Sequence, residues 1–289
     1  MPSSATTGQL EAAQRIVISK TRYTMEHNAP FDALVESMPL GQGEKQVTVP
    51  KVGQFEFADL IDGVDLEDEQ EIGMTTTDLT TAEVGAKIIL TDKLVRQENE
   101  SVFAMVGRQF GGAGARKVDR DLIALFPSLN GGTVLGADNK NMSLTNLAAC
   151  IAFAKAHKFP SPIFVGHHPN SVFLTTLSAS ITPSATYPIP HGWSEDRLRD
   201  FYKFSLNQVE IFEDGNIDKI AGIDSGYGVI ASKNAMVRLK SKGFSTERER
   251  DASLRATELV TTSDYGAFEL DDTYGAALQY EIGDVTTAA

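Results

Sequence analysis

The passage from residue 92 to residue 126 constrains the fold more than any other stretch. Val95, Val102, Val106, Phe110, Val118, Leu122 and Phe126 recur at steps of four, seven and eight, so they share one face of a helix. Asp92 follows Thr91 as a plausible N-cap, and Pro127 supplies a stop. Gly107, Gly111, Gly112 and Gly114 fall inside this run. Each costs about 1 kcal/mol relative to alanine in a helix interior, so four persist only where packing or bending compensates. A phosphate-binding loop is the competing reading, and it fails. The GxxxxGK[ST] pattern needs a lysine and a hydroxyl after its last glycine and a strand before the loop. Here Ala115-Arg116-Lys117-Val118 follows Gly114, and the preceding residues have helical spacing. The GxGxxG pattern finds a lysine at position 117. The expectation is one long, close-packed helix over 92–126.

The second constraint is charge. The 289 residues carry a formal charge of −13. Between Lys51 and Lys87 stand ten acidic residues and no basic one: Glu56, Asp59, Asp62, Asp65, Glu67, Asp68, Glu69, Glu71, Asp78 and Glu83. Such a field repels a nucleic-acid backbone, which argues against sequence-reading DNA binding. Residues 44–60 alternate, with Val47 and Val49 on one side and Phe55 and Phe57 on one side; Pro50 fits only an edge strand. Residues 61–73 read as an acidic loop tip and 74–90, rich in threonine and β-branched residues, as the returning strand. A two-stranded arm is marginal alone and presents unpaired edges, so it predicts a neighbour to lie on.

The remaining chain mixes helices and strands without a βαβ rhythm, which places it in the α+β class. Residues 1–30 read as a polar arm anchored by Ile16-Val17-Ile18. Ser143 caps a predicted helix LTNLAACIAFAKAHKF, with Leu144, Leu147, Ala148, Ile151 and Lys155 along one stripe. Ile163-Phe164-Val165 reads as a short buried strand, and Pro169 opens another helix. Residues 179–193 read as a loop, and Ser194 caps a predicted helix EDRLRDFYKF. Val209–Phe212 and the start of 226–240 read as strands, 244–259 as densely charged, and 265–282 as a strand pair.

The chemistry-bearing residues do not assemble into a catalytic pattern. Cys150 is the only cysteine, which excludes an intrachain disulfide and a multi-cysteine zinc site; it reads as a small buried residue. His167-His168 is the only paired histidine, and neighbours on an extended segment face opposite ways, so one is expected packed and one exposed. The acidic DGVDLEDE stretch and Asp271-Asp272 lack the EF-hand register for calcium. No GxSxG, HExxH or CxxC occurs. No enzymatic activity, cofactor or metal is expected. No apolar run approaches the roughly 20 residues that span a bilayer, so no membrane role is expected. The opening MPSSATTGQLEAAQ lacks the basic start and apolar core of a secretory signal.

Taken in order, a polar arm, an acidic hairpin, a long helix, a mixed central region and closing strands resemble the major capsid protein of tailed bacteriophages, the Hong Kong 97-type fold. The resemblance rests on KIILTDKLVRQENESVFAMVGRQFGGAGARKVDRDLIALF, on PIFVGHHPNSVFLTTL and on ASLRATELVTTSDYGAFELDDTYGAALQYE. It implies an N-terminal arm over 1–43, an extended β-hairpin loop over 44–90, and a peripheral domain with a spine helix over 91–141. An axial domain follows over 142–225, and peripheral closing strands over 226–289. It further implies a homo-oligomer of hexameric and pentameric capsomers forming an icosahedral head around double-stranded DNA, held non-specifically. Assembly in the bacterial host cytoplasm and portal, scaffold or decoration proteins as partners come with it. The acidic residues Asp62, Asp65, Glu67, Asp68 and Glu69 are then candidates to meet Arg116, Lys117 and Arg120, or Arg15, Lys20 and Arg22, of an adjacent subunit. An encapsulin-type nanocompartment shell is the alternative within the same fold, and a soluble α+β enzyme is a third reading.

Overall fold

The computed structural model describes residues 30–41, 44–52, 74–93, 100–180 and 204–283. A short helix α1 (Pro30–Leu34) leads into strand β1 (Glu36–Pro39). Strands β2 (Gln46–Val52) and β3 (Met74–Thr80) pair antiparallel as a two-stranded arm. Strand β4 (Ala82–Thr91) precedes the long helix α2 (Glu100–Ile123). Next come β5 (Leu135–Gly136), α3 (Leu144–Ala156), β6 (Ile163–His167), α4 (Pro169–Ser180), β7 (Phe204–Leu206) and β8 (Val209–Glu213). The chain closes with β9 (Ser225–Ser232), β10 (Met236–Asp251), β11 (Ala256–Glu269) and β12 (Gly275–Glu281).

Two larger sheets organise these elements. The first has the order β1-β10-β11-β4, and the second the order β5-β12-β9-β6-β8-β7. Mixed pairing, parallel for β1–β10, β5–β12 and β6–β8 and antiparallel elsewhere, makes the class α+β as expected.

The six-stranded sheet is covered on both faces, and residue alternation shows it. Phe164, Val229, Ala231 and Ala277 face a layer that includes Val118, Leu122 and Phe126 at the C-terminal end of α2. Val165, Ile230, Ala276 and Leu278 face the other way, onto Leu147, Cys150, Ile151 and Ala154 of α3 and Val172 of α4. Successive side chains along a strand point to opposite faces, so a strand with both faces covered reads as a continuous apolar run. β9, SGYGVIAS, is such a run, with Val229, Ile230 and Ala231 fully buried. Burying each large aliphatic or aromatic side chain contributes about 1.5–3 kcal/mol.

Several local readings stand. Ser143 caps α3, its side chain accepting from the Asn146 amide at 3.2 Å. Pro169 occupies the first position of α4. Val47 and Val49 share a face and pack with Leu79, Val237 and Leu239 at the base of the arm.

Others are corrected. The long helix ends at Ile123, not at residue 126; a turn and a 3-10 segment Phe126–Ser128 follow. Proline disfavours α conformation in the residue before it, so the chain loosens ahead of Pro127. Asp92 and Lys93 are helical, residues 94–99 lie outside the described residues, and the Asp92 carboxylate takes the Arg250 guanidinium at 2.5 and 2.7 Å. The returning strand breaks at Thr81: β3 stays with β2, whereas β4 pairs with β11 from Thr91↔Ala256 to Ala82↔Tyr265. The charged stretch 244–259 is the outer half of the β10–β11 hairpin. The two strands within 265–282 do not pair with each other; β11 belongs to the four-stranded sheet and β12 to the six-stranded one. Phe204, expected to end a helix, begins β7, and the rest of that predicted helix and the loop 181–193 lie outside the described residues.

Of the α2 glycines, Gly107 and Gly111 are buried, as close packing requires, whereas Gly112 is not closely approached. A Cβ added at Gly112 would meet nothing within 4 Å. The close approach occurs in β6, where a Cβ at Gly166 would lie 2.3 Å from the Phe31 ring. That ring is fully buried and stands edge-on to Phe126 at 5.2 Å, an arrangement that aromatic quadrupoles favour. Gly166 thus lets α1 seat against the sheet.

Candidate assembly interface

The basic candidates on the long helix are all exposed near its C-terminal end. Lys117 pairs with Asp121 one turn on at 2.6 Å, and Arg120 reaches Asp218 at 3.1 Å. Arg116 has no ion-pair partner among the described residues. Exposed pairs are worth about 0–1 kcal/mol, so the two existing pairs exchange partners at little cost. Asp62, Asp65, Glu67, Asp68 and Glu69 lie outside the described residues, as do Arg15, Lys20 and Arg22.

Two features project from the sheets. The arm β2–β3 is two strands wide, so each strand has a free ladder edge among the described residues, including the edge that carries Pro50. Its outer surface is polar, with Thr48 donating to Asp78 at 2.6 Å. The second feature is the β10–β11 hairpin. β1 covers only Val237–Lys240 of β10, so the strand runs on as an edge to Asp251 among the described residues. Register shifts between Lys240 and Ser245 interrupt this edge, which blunts unwanted strand pairing. Its tip carries Glu247, Arg248, Glu249 and Arg250, and the exposed Leu254. Asp251 closes the turn by accepting from the Ser253 hydroxyl and from the Leu254 and Ser253 amides, and those bonds pull its pKa down.

Among the described residues, no three His, Cys, Asp or Glu side chains come together to hold a metal. His167 is buried and its Nδ1 accepts the His168 amide at 2.9 Å; burial pushes its pKa down to about 3, so the ring is neutral. His168 is half-buried and also shifted down by burial. Asp271 caps a 3-10 turn through the Thr273 amide at 3.1 Å. A groove of about 490 Å³ beside α1 is lined by Leu34, Phe164, Phe212, Lys155, Lys233 and Glu210, a mixed wall with no nucleophile–base pair.

The sequence reading missed one buried polar cluster, at the seam between α2 and the six-stranded sheet. Asp119 of α2 is fully buried, and Asp214, just after β8, is nearly so. Asn216 ties them, donating from Nδ2 to Asp119 Oδ2 at 2.9 Å and from its backbone amide to Asp214 Oδ1 at 2.8 Å. Burial, then the facing Asp214, raises the Asp119 pKa to about 8; burial raises that of Asp214 as well. The only signal in the sequence is Asp119 falling next to Val118 on the apolar stripe.

No protein-family model matches the sequence, and a search of curated proteins finds no match. Solved structures do match in shape. The mature capsid of bacteriophage PhiM1 aligns with a TM-score of 0.65 at 14% identity, covering 89% of this chain and 88% of the other. The capsid of a native GTA particle gives 0.66 at 9% identity, with 88% and 90% covered. The SrpI encapsulin of Synechococcus elongatus gives 0.61 at 12% identity, with 90% of each covered. At such identities the likeness speaks for the fold, over nearly the whole of each chain. The chain has the fold of the tailed-bacteriophage major capsid proteins, the α+β architecture of Hong Kong 97 type.

Proposed function

We propose that this chain is the major capsid protein of a tailed bacteriophage, self-assembling as hexamers and pentamers into an icosahedral head that encloses double-stranded DNA. The observation that carries the reading is the end-to-end match to capsid chains, about 88% covered in both directions for PhiM1 and for the cyanophage P-SCSP1u. The projecting arm and hairpin support it, since each offers strand edge and charge that a lone subunit leaves unused. On this reading the molecule works by tiling, with no catalytic step.

The parts then take the following roles. The N-terminal arm 1–43 reaches a neighbour ahead of α1 and β1, which pack on this chain's own sheets, and the extended loop 44–90 lies over an adjacent subunit through its β2–β3 part, since β4 pairs with β11. Residues 91–141 with the spine helix and 226–289, apart from β9 and β12, which complete the six-stranded sheet with β6 and β8, build the peripheral domain. Residues 142–225 form the axial domain around the capsomer centre. The acidic tip, with Asp62, Asp65, Glu67, Asp68 and Glu69, meets basic residues of a neighbour. Arg116 meets it without giving up an ion pair among the described residues, and Lys117 and Arg120 join by exchanging Asp121 and Asp218 at little cost. Arg15, Lys20 and Arg22 are the other candidates. Complementary charge supplies register and specificity more than affinity. Portal, scaffold or decoration proteins, non-specific contact with DNA, and assembly in the host cytoplasm belong to the same reading. An inner wall that is not strongly basic releases packaged DNA readily.

An encapsulin-type nanocompartment is the second reading, favoured by the SrpI match. Electron microscopy of the purified protein with sedimentation tests both. Closed shells, or rings of five and six, support assembly, and shell diameter together with DNA or enzyme content separates a phage head from a nanocompartment. A monomer at every concentration refutes both. For the acidic tip, the triple variant D65K/E67K/D68K is expected to impair shell formation; normal shells would remove that contact from the account.

A further inference from the structure

Asp119 and Asp214 pose a problem of hydrogen-bond accounting. Asp119 Oδ1 and Asp214 Oδ2 are buried and have no hydrogen-bond partner among the described residues. Asn216 bonds both carboxyls, which brings them together at one residue, and the Asp214 charge acts on Asp119. Two ionised carboxylates in this position would repel and leave both oxygens unsatisfied, which a dry site penalises heavily. Among the described residues no cation makes an ion pair with either carboxyl. On α2, Arg120 is engaged with Asp218 and Asp121 with Lys117 and the Tyr265 hydroxyl, and Arg116, one turn before Asp119, is exposed to solvent and makes no ion pair with Asp119. From α1 the facing groups are the Phe31 backbone amide, which favours the Asp119 charge, and Asp32, itself acidic and held by Arg238 of β10. From β6 there is the neutral His167, whose carbonyl accepts the Asp214 amide at 3.1 Å. A single proton between the facing oxygens satisfies both at once.

We propose that Asp119 and Asp214 share one proton and that this carboxyl–carboxylate hydrogen bond is a pH-sensitive lock joining the long helix to the six-stranded sheet. Asn216 holds the outer oxygens and so fixes the pair's geometry. Hydroxide removes the proton as water, leaving two facing charges at the seam beside Val118 and Leu122. The linkage sign follows from the raised pKa. The folded chain holds the proton between the ordinary carboxylate value of 3.8 and about 8, whereas the unfolded chain has released it. The lock's contribution is therefore complete below the ordinary carboxylate range. It is lost as pH rises to about 8, with the unfolding equilibrium shifting up to about tenfold per pH unit.

The test is infrared spectroscopy of the intact protein with isotope-labelled aspartate carboxyls, paired with urea denaturation across the same pH range. At about pH 6, where unperturbed carboxyls are ionised, the wild type is expected to show a protonated-acid carbonyl band that fades toward about pH 9. D119N and D214N each supply an amide donor in place of the proton. They should lose the band and flatten the fall of the denaturation midpoint with pH, a response that mere loss of packing would not produce. Absence of the band in the wild type overturns the proposal, as does its survival in both variants. A band-free wild type that EDTA destabilises would mean a bound cation holds the pair, which also overturns it. If one variant fails to fold, the wild-type spectrum and the other variant decide.

Discussion

Replacing Gly166 with alanine tests how α1 is seated. The added Cβ would lie 2.3 Å from Cε1 and 2.5 Å from Cζ of Phe31, so the ring must retreat about 1 Å to reach ordinary contact at 3.4 Å. Its freedom to do so is small, because Phe31 is fully buried and packs edge-on with Phe126 at 5.2 Å. Overpacking of this kind costs about 1–3 kcal/mol, which lowers a melting temperature by roughly 2–4 °C per kcal/mol in a large domain. Calorimetry on the unassembled chain reads the shift. The decisive comparison is a double-mutant cycle with Phe31→Ala. That change alone costs about 3–5 kcal/mol by opening a cavity. In its background Gly166→Ala meets no ring, and the sign should reverse, because alanine is favoured over glycine within a strand by about 0.5–1 kcal/mol. Equal cost of Gly166→Ala in both backgrounds, or no cost in the wild type, would refute the account of this contact.

Further outcomes are expected elsewhere. Ser143→Ala removes the cap bond to the Asn146 amide and should cost about 1 kcal/mol in urea denaturation, whereas Ser143→Asp should be nearly neutral. Cys150 lies against Tyr280 Oη at 3.3 Å, and burial pushes its thiol pKa up. Iodoacetamide at mildly alkaline pH should therefore modify the native chain at least about tenfold more slowly than the urea-unfolded chain, and equal rates by mass spectrometry would contradict the burial.

Local chemistry was legible where one residue decides the outcome. Ser143 starts α3 because its hydroxyl satisfies a free amide, and Pro169 starts α4 because its fixed φ suits the first helical turn. Val47 and Val49 declared their common face by alternation. The candidate interface was legible only as charge. Arg116, Lys117 and Arg120 can be named from the sequence, but the pairing of Lys117 with Asp121 and Arg120 with Asp218 depends on a carboxylate almost a hundred residues away in the second case. Gly112 misled for a related reason. Glycine marks either tolerance or a close approach, and only the neighbouring element decides which; at Gly112 nothing approaches, and at Gly166 an aromatic ring does.

The sequence by itself determined the α+β class, the long helix, the acid-rich arm, the starts of α3 and α4, and the lack of any local catalytic motif. These follow from periodicity, capping and composition, which act over a few neighbouring residues. Only the tertiary structure decided that β4 leaves the arm for β11, and that β11 and β12 lie in different sheets. It alone brought Asp119 against Asp214, 95 positions along the chain. Strand partners and buried charges are chosen by which apolar faces close over one another. That competition runs over the whole chain, and no single segment carries its result.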